Sequence, residues 1–256
     1  LDDWIKALRA QSRKIAQGAY RVDPDAFKGA PEAIRLLSMD LDALALAMAQ
    51  RDAAQAALTH EVHHRVKNNL QIVTSLLNLQ ASKIKDAKAR RPLDQARVRM
   101  GALALIHRLL YEQDDDSVRG SVNLARLMSE LGAQLRVAHR SAGGIDFASD
   151  ASPYAVPIDH AVPLTLFAVE AVTNAYHHAF PKSLSGTVTL HFSVAGDSGL
   201  LRITDDGVGF DAQSDSGSMG RQLMNGFAHQ LGGTLTIESA TAAGTVVTLI
   251  YPLTAR

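Results

Sequence analysis

The sequence has no cysteine among its 256 residues, which removes disulfides, thiolate metal sites and cysteine nucleophiles together. It has no charge excess either: 26 Lys and Arg balance 26 Asp and Glu, so no global field draws it to nucleic acid or to an anionic membrane. No apolar run approaches the roughly 18 residues of a membrane-spanning helix. There is no signal peptide, and the first residue is Leu1 rather than Met, as in an excised soluble portion of a longer protein. What is present is ordinary for a globular chain, 46% hydrophobic and 20% charged, with length for about two domains.

Glycine and proline are also missing between Glu32 and Arg91, and helical periodicity fills that gap. Its centre is Glu61-Val62-His63-His64-Arg65-Val66-Lys67-Asn68-Asn69-Leu70-Gln71. At roughly 100° per residue, Val62, Val66, Leu70, Val73 and Leu77 share one stripe, with Leu58 and Leu76 at its edge. His64 then points away from that stripe and His63 flanks it. Glu61 and Asn68 share the outward face with His64. A histidine with a carboxylate in reach, on a helix whose other face wants a partner, suits an imidazole offered to a second molecule. Glu61 could orient the ring and raise its nucleophilicity, or be a plain solvent-facing charge.

Ahead of this stretch, a short amphipathic segment carries Trp4, Leu8 and Ile15 and ends at Gly18. A broken connector follows, and Pro31-Glu32 opens a new helix. Ile34, Leu37, Leu41, Leu44 and Met48 repeat there at coiled-coil spacing. Two short heptad helices joined by such a connector resemble a HAMP signalling module, and a plain coiled-coil linker gives most of the same pattern. The expected boundaries are 1–51 for this segment, 52–118 for a helical hairpin and 119–256 for a second domain. The hairpin turn is expected near Arg90-Arg91-Pro92. Its second helix carries Leu93, Ala96, Met100, Leu103, Ile106 or His107, and Leu110 on one face. Neither helix alone hides its stripe. Two hairpins pairing as a four-helix bundle would, which predicts a homodimer.

Beyond about Ser121, helix candidates at 122–139 and 160–180 alternate with β-rich runs at Ile145–Ala148, Thr187–Val194, Leu200–Thr204, Thr234–Glu238 and Thr245–Ile250. Short turns between neighbouring runs predict a mostly antiparallel sheet covered by helices on one face, an α+β layer. In the second helix Glu170, Asn174 and His178 stack at four-residue spacing, and Glu170 with Asn174 can hold Mg²⁺ and its waters against a triphosphate. The plain alternative is a polar helix face. Asp205-Asp206-Gly207-Val208-Gly209 follows a strand. Its carboxylate can accept from an exocyclic amine such as adenine's while the glycines admit a planar base, or it is simply an Asp-Gly turn. Ser216-Gly217-Ser218-Met219-Gly220 leads into a helix whose N-terminal amides suit phosphate. Gly244-Thr245 precedes the last strand.

In this order the pieces resemble the N, G1, G2 and final-strand motifs of the GHKL ATP-binding fold, over residues 121 to 256. With the upstream His-Arg-Val-Lys-Asn, the chain is similar to sensor histidine kinases of the HWE-type group and its sister group. The resemblance implies that His64 accepts the γ-phosphoryl of ATP and that Glu170 assists catalysis at the metal. It implies that Asn174 holds Mg²⁺ and Asp205 reads adenine. Gly207, Gly209, Gly217, Gly220 and Thr245 would shape the nucleotide pocket and lid, with His177 and His178 beside the phosphates. His177 stands where many members have Lys, and so brings less charge. The resemblance further implies a homodimer, a response regulator receiver domain that takes the phosphoryl group on an Asp, and no nucleic acid partner. It implies a position on the cytoplasmic side, with the bacterial inner membrane reached only through a missing N-terminal part. The alternative function is a catalytically weak phosphotransfer protein or scaffold with a degenerate ATP domain.

Overall fold

A computed structural model describes residues 2–21, 23–111, 120–139, 144–181, 185–210 and 218–253, without the side chains of residues 24, 25, 56, 59, 60, 63, 64, 87 and 88. The chain divides into two compact units, Leu1–Val66 and Lys67–Arg256. Among the described residues no helix is long and apolar enough to cross a membrane.

The first unit opens with α1 (Asp2–Ala16), which has Asp2 and Asp3 in its first turn and Arg13 and Lys14 in its last, favourable to the helix dipole. Gly18, at φ 87°, reverses the chain, and the Ala19 N–H closes the helix end on the Lys14 carbonyl at 2.9 Å. A 3₁₀ turn, Pro24–Phe27, follows, and α2 begins at Glu32 and runs to Lys83. Phe27, Ala30 and Ile34 form a small core against Trp4, Ala7 and Leu8. Along α2 the shielded positions are Ile34, Ser38, Leu41, Ala45 and Met48. Leu37 and Leu44, expected on the same seam, are exposed. The inward face is therefore rotated by about one position from the expected heptad, and apolar residues remain on a second face.

The second unit starts within α2. The expected turn at Arg90-Arg91-Pro92 is displaced: α2 ends at Lys83, and α3 runs from Ala87 to Tyr111 with Pro92 inside it. The Arg90 N–H bonds the Asp86 carbonyl at 3.0 Å, so Lys85-Asp86 supplies the helix start. Pro92 then lies in the second turn of α3, where it forgoes one backbone hydrogen bond without ending the helix. The boundary expected near 117–121 lies largely outside the described residues.

β1 (Ser121–Asn123) pairs antiparallel with β3 (Ala155–Pro157), and α4 (Leu124–Ala138) is capped by Asn123, whose side chain accepts the Arg126 N–H at 3.2 Å. β2 (Ile145–Ala151), α5 (Ile158–Asn174), β4 (Gly186–Ala195), β5 (Ser198–Asp205), α6 (Met219–Gln230), β6 (Thr234–Ser239) and β7 (Thr245–Pro252) follow. The main sheet has the order β2-β4-β5-β7-β6, with only the β2–β4 pair parallel. Each expected strand run is present, extended by a residue or more at one or both ends. Val188, Leu190 and Phe192 alternate inward on β4, as do Leu201 and Ile203 on β5 and Val247, Leu249 and Tyr251 on β7. α4 and α5 cover that face with Leu127, Met128, Leu131, Leu164, Phe167 and Val172. Ala102, Leu105, Ile106 and Leu109 of α3 belong to the same buried cluster. Of the face expected for a bundle seam, Ile106 and Leu110 are buried, joined by Ala102, Leu105 and Leu109 rather than by Leu93, Ala96, Met100 and Leu103, because the apolar sides of α4 and α5 cover this side within the chain. Burying each Leu or Ile fully contributes roughly 1.5–3 kcal/mol, so this attachment is strong.

Candidate active site

The site is built around the edge where β5, α5 and the start of α6 meet. β5 delivers Asp205 as its last residue, buried. Its Oδ1 accepts the Gly207 N–H at 3.1 Å, and the backbone N–H and hydroxyl of Thr245 also donate to the carboxylate. Burial raises the Asp205 pKa, against the lowering effect of those donors, and Asp206 next door raises it further. Gly244 at φ 73° and Gly209 at φ 61° hold conformations that side chains disfavour. A Cβ on Gly244 would collide with the Asp205 carbonyl, and one on Gly209 with the Ala240 carbonyl. The turn after β5 is sewn to its surroundings by Val208 N–H to Ala179 O at 2.9 Å and Ala242 N–H to Val208 O at 2.7 Å.

Two residues that sequence reasoning passed over complete this loop. Ser239 Oγ accepts the Phe210 N–H at 2.9 Å, donates to the Gly244 carbonyl at 3.0 Å and lies 3.1 Å from the Thr245 hydroxyl. Asp206 Oδ1 accepts the Thr187 N–H at 2.7 Å, which ties the loop to the start of β4. Ser239 ends β6 across from Thr245 in the β6–β7 register, a pairing visible only once the strands are registered.

Asn174 is the last residue of α5. Its carboxamide lies against Gly220 in the first turn of α6, so closely that a Cβ there would sit 3.1 Å from Nδ2. Ser218 caps α6, accepting the Arg221 N–H at 3.4 Å, and the remaining N-terminal amides of such a helix suit phosphate oxygens. Gly217 lies outside the described residues. The α-helical register stops at Asn174, because residues Ala175–Ala179 form a π-helical turn. The expected four-residue stacking of Glu170, Asn174 and His178 therefore does not continue to His178, which is exposed.

Glu170 is buried, and both its oxygens are engaged by Arg99 of α3, Nε on Oε1 and Nη2 on Oε2, the latter at 2.9 Å. Nothing in the local sequence pairs these residues, which are 71 positions apart. His177 packs edge-on to His139 at 5.6 Å, and His139 stacks on Tyr176 at 4.5 Å. Burial, with Arg91, His139 and His178, pushes the His177 pKa down to about 4, so the ring is neutral near pH 7. In the first unit, His63 and His64 lie on α2, and their side chains are outside the description. Glu61 pairs with Arg65 one turn on, Nη2 to Oε1 at 2.6 Å, with both side chains exposed.

No cluster of three or more His, Asp or Glu residues able to hold a metal occurs among the described residues. Mg²⁺ bound with a nucleotide needs few protein oxygens, because phosphates and waters complete its shell. The Asn174 carboxamide beside the α6 N-terminus fits that need. Glu170, with both oxygens on Arg99, does not present one in this conformation.

Residues 159–255 match the family described as "Histidine kinase-, DNA gyrase B-, and HSP90-like ATPase", and residues 61–138 match the family described as "Histidine kinase". The sensor histidine kinase PdtaS of Mycobacterium tuberculosis is 31% identical over 211 residues, 78% of this chain and 40% of the relative. Blue-light-activated histidine kinase 2 of Erythrobacter litoralis is 30% identical over 203 residues, 75% of this chain and 56% of the relative. Among solved structures, the histidine kinase domain of an Erythrobacter litoralis blue-light activated histidine kinase superposes with a TM-score of 0.58 at 26% identity, covering 76% of this chain and 92% of that one. With both segments in the expected order, the chain belongs to the histidine kinases. It spans 40% to 56% of the length of the curated relatives it matches.

Proposed function

We propose that this chain is an autophosphorylating histidine kinase that transfers the γ-phosphoryl of ATP to His64 and then to an Asp of a response regulator receiver domain. The observation that carries the reading is the closed hydrogen-bond set around Asp205. A buried carboxylate held by Gly207 and Thr245 keeps an acceptor edge in a glycine-walled turn, the chemistry that an adenine amine requires. Asn174 would hold Mg²⁺, which neutralises charge on the transferring phosphoryl group. Gly220 and the α6 amides would receive phosphate, and Thr245 would keep Asp205 in place. Positioning, rather than covalent chemistry, would then supply most of the rate.

The exposed apolar residues Leu58, Val62, Ile72, Leu76 and Leu79 on α2 support a homodimer formed through the helical hairpin. We assign residues 1–51 to a HAMP-like segment, 52–118 to the hairpin and 119–256 to the ATP-binding domain. The site of action would be the cytoplasmic side of the membrane, where ATP and receiver domains are found. A second reading, a phosphotransfer scaffold with a weak ATP domain, draws on His177, whose neutral ring supplies no charge to phosphate near pH 7.

Incubation with γ-labelled ATP and Mg²⁺ tests the proposal. It expects a labelled chain whose label is lost in acid and survives base, as phosphohistidine does. Absence of both label and nucleotide binding at millimolar ATP favours the scaffold.

A further inference from the structure

Helix α3 has two halves of different chemistry. From Ala102 to Leu110 it is mostly apolar, apart from His107 and Arg108, and Leu105, Ile106 and Leu109 are fully buried in the sheet-and-helix core. From Arg91 to Arg99 it carries Arg91, Asp94, Gln95, Arg97 and Arg99; Arg91 and Pro92 are exposed and the rest is partly buried, with Val98 against the core. There Arg91, Asp94 and Arg97 act electrostatically on His139 or His177, and Arg99 takes both oxygens of Glu170. The polar half is held incompletely. Arg97 Nε, His139 Nε2, Tyr176 Oη and His177 Nδ1 are buried without a hydrogen-bond partner among the described residues, and each such atom favours separation of the surfaces. Gly101 stands between the halves, inside the helix. No close approach requires a glycine there, since a Cβ would meet nothing nearer than Gln134 Oε1 at 3.8 Å. A glycine that packing does not demand gives the helix a flexible point.

We propose that the polar half of α3 is a releasable latch pivoting at Gly101, and that Arg99 is the positioning residue that withholds the Glu170 carboxylate from phosphoryl transfer. The proposal rests on the kinase reading for its consequence. In the latched state each Glu170 oxygen carries a guanidinium hydrogen bond, so the carboxylate is held on Arg99 of α3. Separation at Gly101 leaves the apolar half docked and returns the carboxylate to the chemistry. A bidentate pair with one partner buried is a two-position element, since intermediate separations leave a charge without compensation.

The test uses the full chain with Arg99→Gln, Arg99→Lys and Gly101→Ala, read by initial rates of label transfer from γ-labelled ATP and by amide hydrogen exchange. Arg99→Gln is expected to raise kcat about three- to tenfold with KM for ATP unchanged, Arg99→Lys to raise it less, and Gly101→Ala to lower it. Exchange at 91–100 should accelerate in Arg99→Gln while 102–110 stays protected. A kcat that falls or stays level in both Arg99 variants, assayed at a temperature where circular dichroism shows each still folded, overturns the latch, as does equal protection of both halves of α3. If the wild type transfers no label, the kinase reading fails, and the exchange experiment still judges the latch.

Discussion

The Asp205 loop and the Glu170 helix turn each carry a buried carboxylate, and the two are held in opposite ways. Asp205 takes its donors from Gly207 and from Thr245, the latter its direct neighbour in the β5–β7 register. Glu170 takes its partner from a separate helix 71 positions away. The first arrangement is fixed by the sheet and has one state. The second depends on where α3 lies, and can have two. On the proposed function, a rigid loop that would read the base stands beside a carboxylate that the α3 latch would release.

Several substitutions break or sharpen that contrast, beginning with the largest effect. Gly209→Val forces a branched side chain into φ 61° and against the Ala240 carbonyl. It should cost about 3 kcal/mol or more and abolish nucleotide binding in calorimetry. Glu170→Ala leaves the Arg99 guanidinium without its partner, and should lower the urea-derived stability by about 2–4 kcal/mol. An unchanged urea midpoint would mean that the pair is not formed in solution.

The third effect concerns pH. The folded pKa of His177, about 4, lies below its ordinary 6.5, so the unfolded chain binds the proton more readily. The stability from the neutral buried ring is complete above pH 6.5 and is lost as pH falls toward 4. After discounting for partial solvation, the loss is on the order of 1–2 kcal/mol. His177→Gln should flatten that part of the stability profile, and an unchanged slope would assign the titration to other groups. Ser239→Ala removes the hydroxyl that joins Phe210, Gly244 and Thr245. It should cost about 1 kcal/mol and weaken ATP binding a few fold. Glu61→Ala removes only an exposed i,i+4 pair and should change stability by less than about 0.5 kcal/mol.

How far the sequence can be read follows the same division. The strands were legible because β-branched residues alternate between Gly, Asp and Ser boundaries. Asp205, Gly207 and Gly209 were legible as a local Asp-x-Gly-x-Gly pattern after a strand, whereas their contacts with Ala240, Gly244 and Thr245 needed the sheet register. Asn174 beside Gly220 was legible only as a motif order, and the contact needed the fold. The hairpin turn was misplaced because Pro92 is a strong helix breaker, whereas α3 starts at Ala87 and continues through the proline. The π turn after Asn174 carries no period of its own, so His177 and His178 were set on a continuing α-helix. Arg99 was missed for a plainer reason: a half-buried arginine in a helix announces no partner, and its partner is decided by how α3 docks on α5. Glu61 could serve the imidazole three positions on or be a plain surface charge by helical spacing, and its carboxylate pairs here with Arg65, four positions on.

The central claim is that His64 is the phosphoryl acceptor for the nucleotide held beside Asp205 and Asn174. The direct measurement is label incorporation from γ-labelled ATP into His64→Ala and His63→Ala chains, with ATP affinity measured on the same samples. The account predicts no incorporation in His64→Ala, incorporation retained in His63→Ala, and wild-type ATP affinity in both. Undiminished labelling of His64→Ala would contradict it.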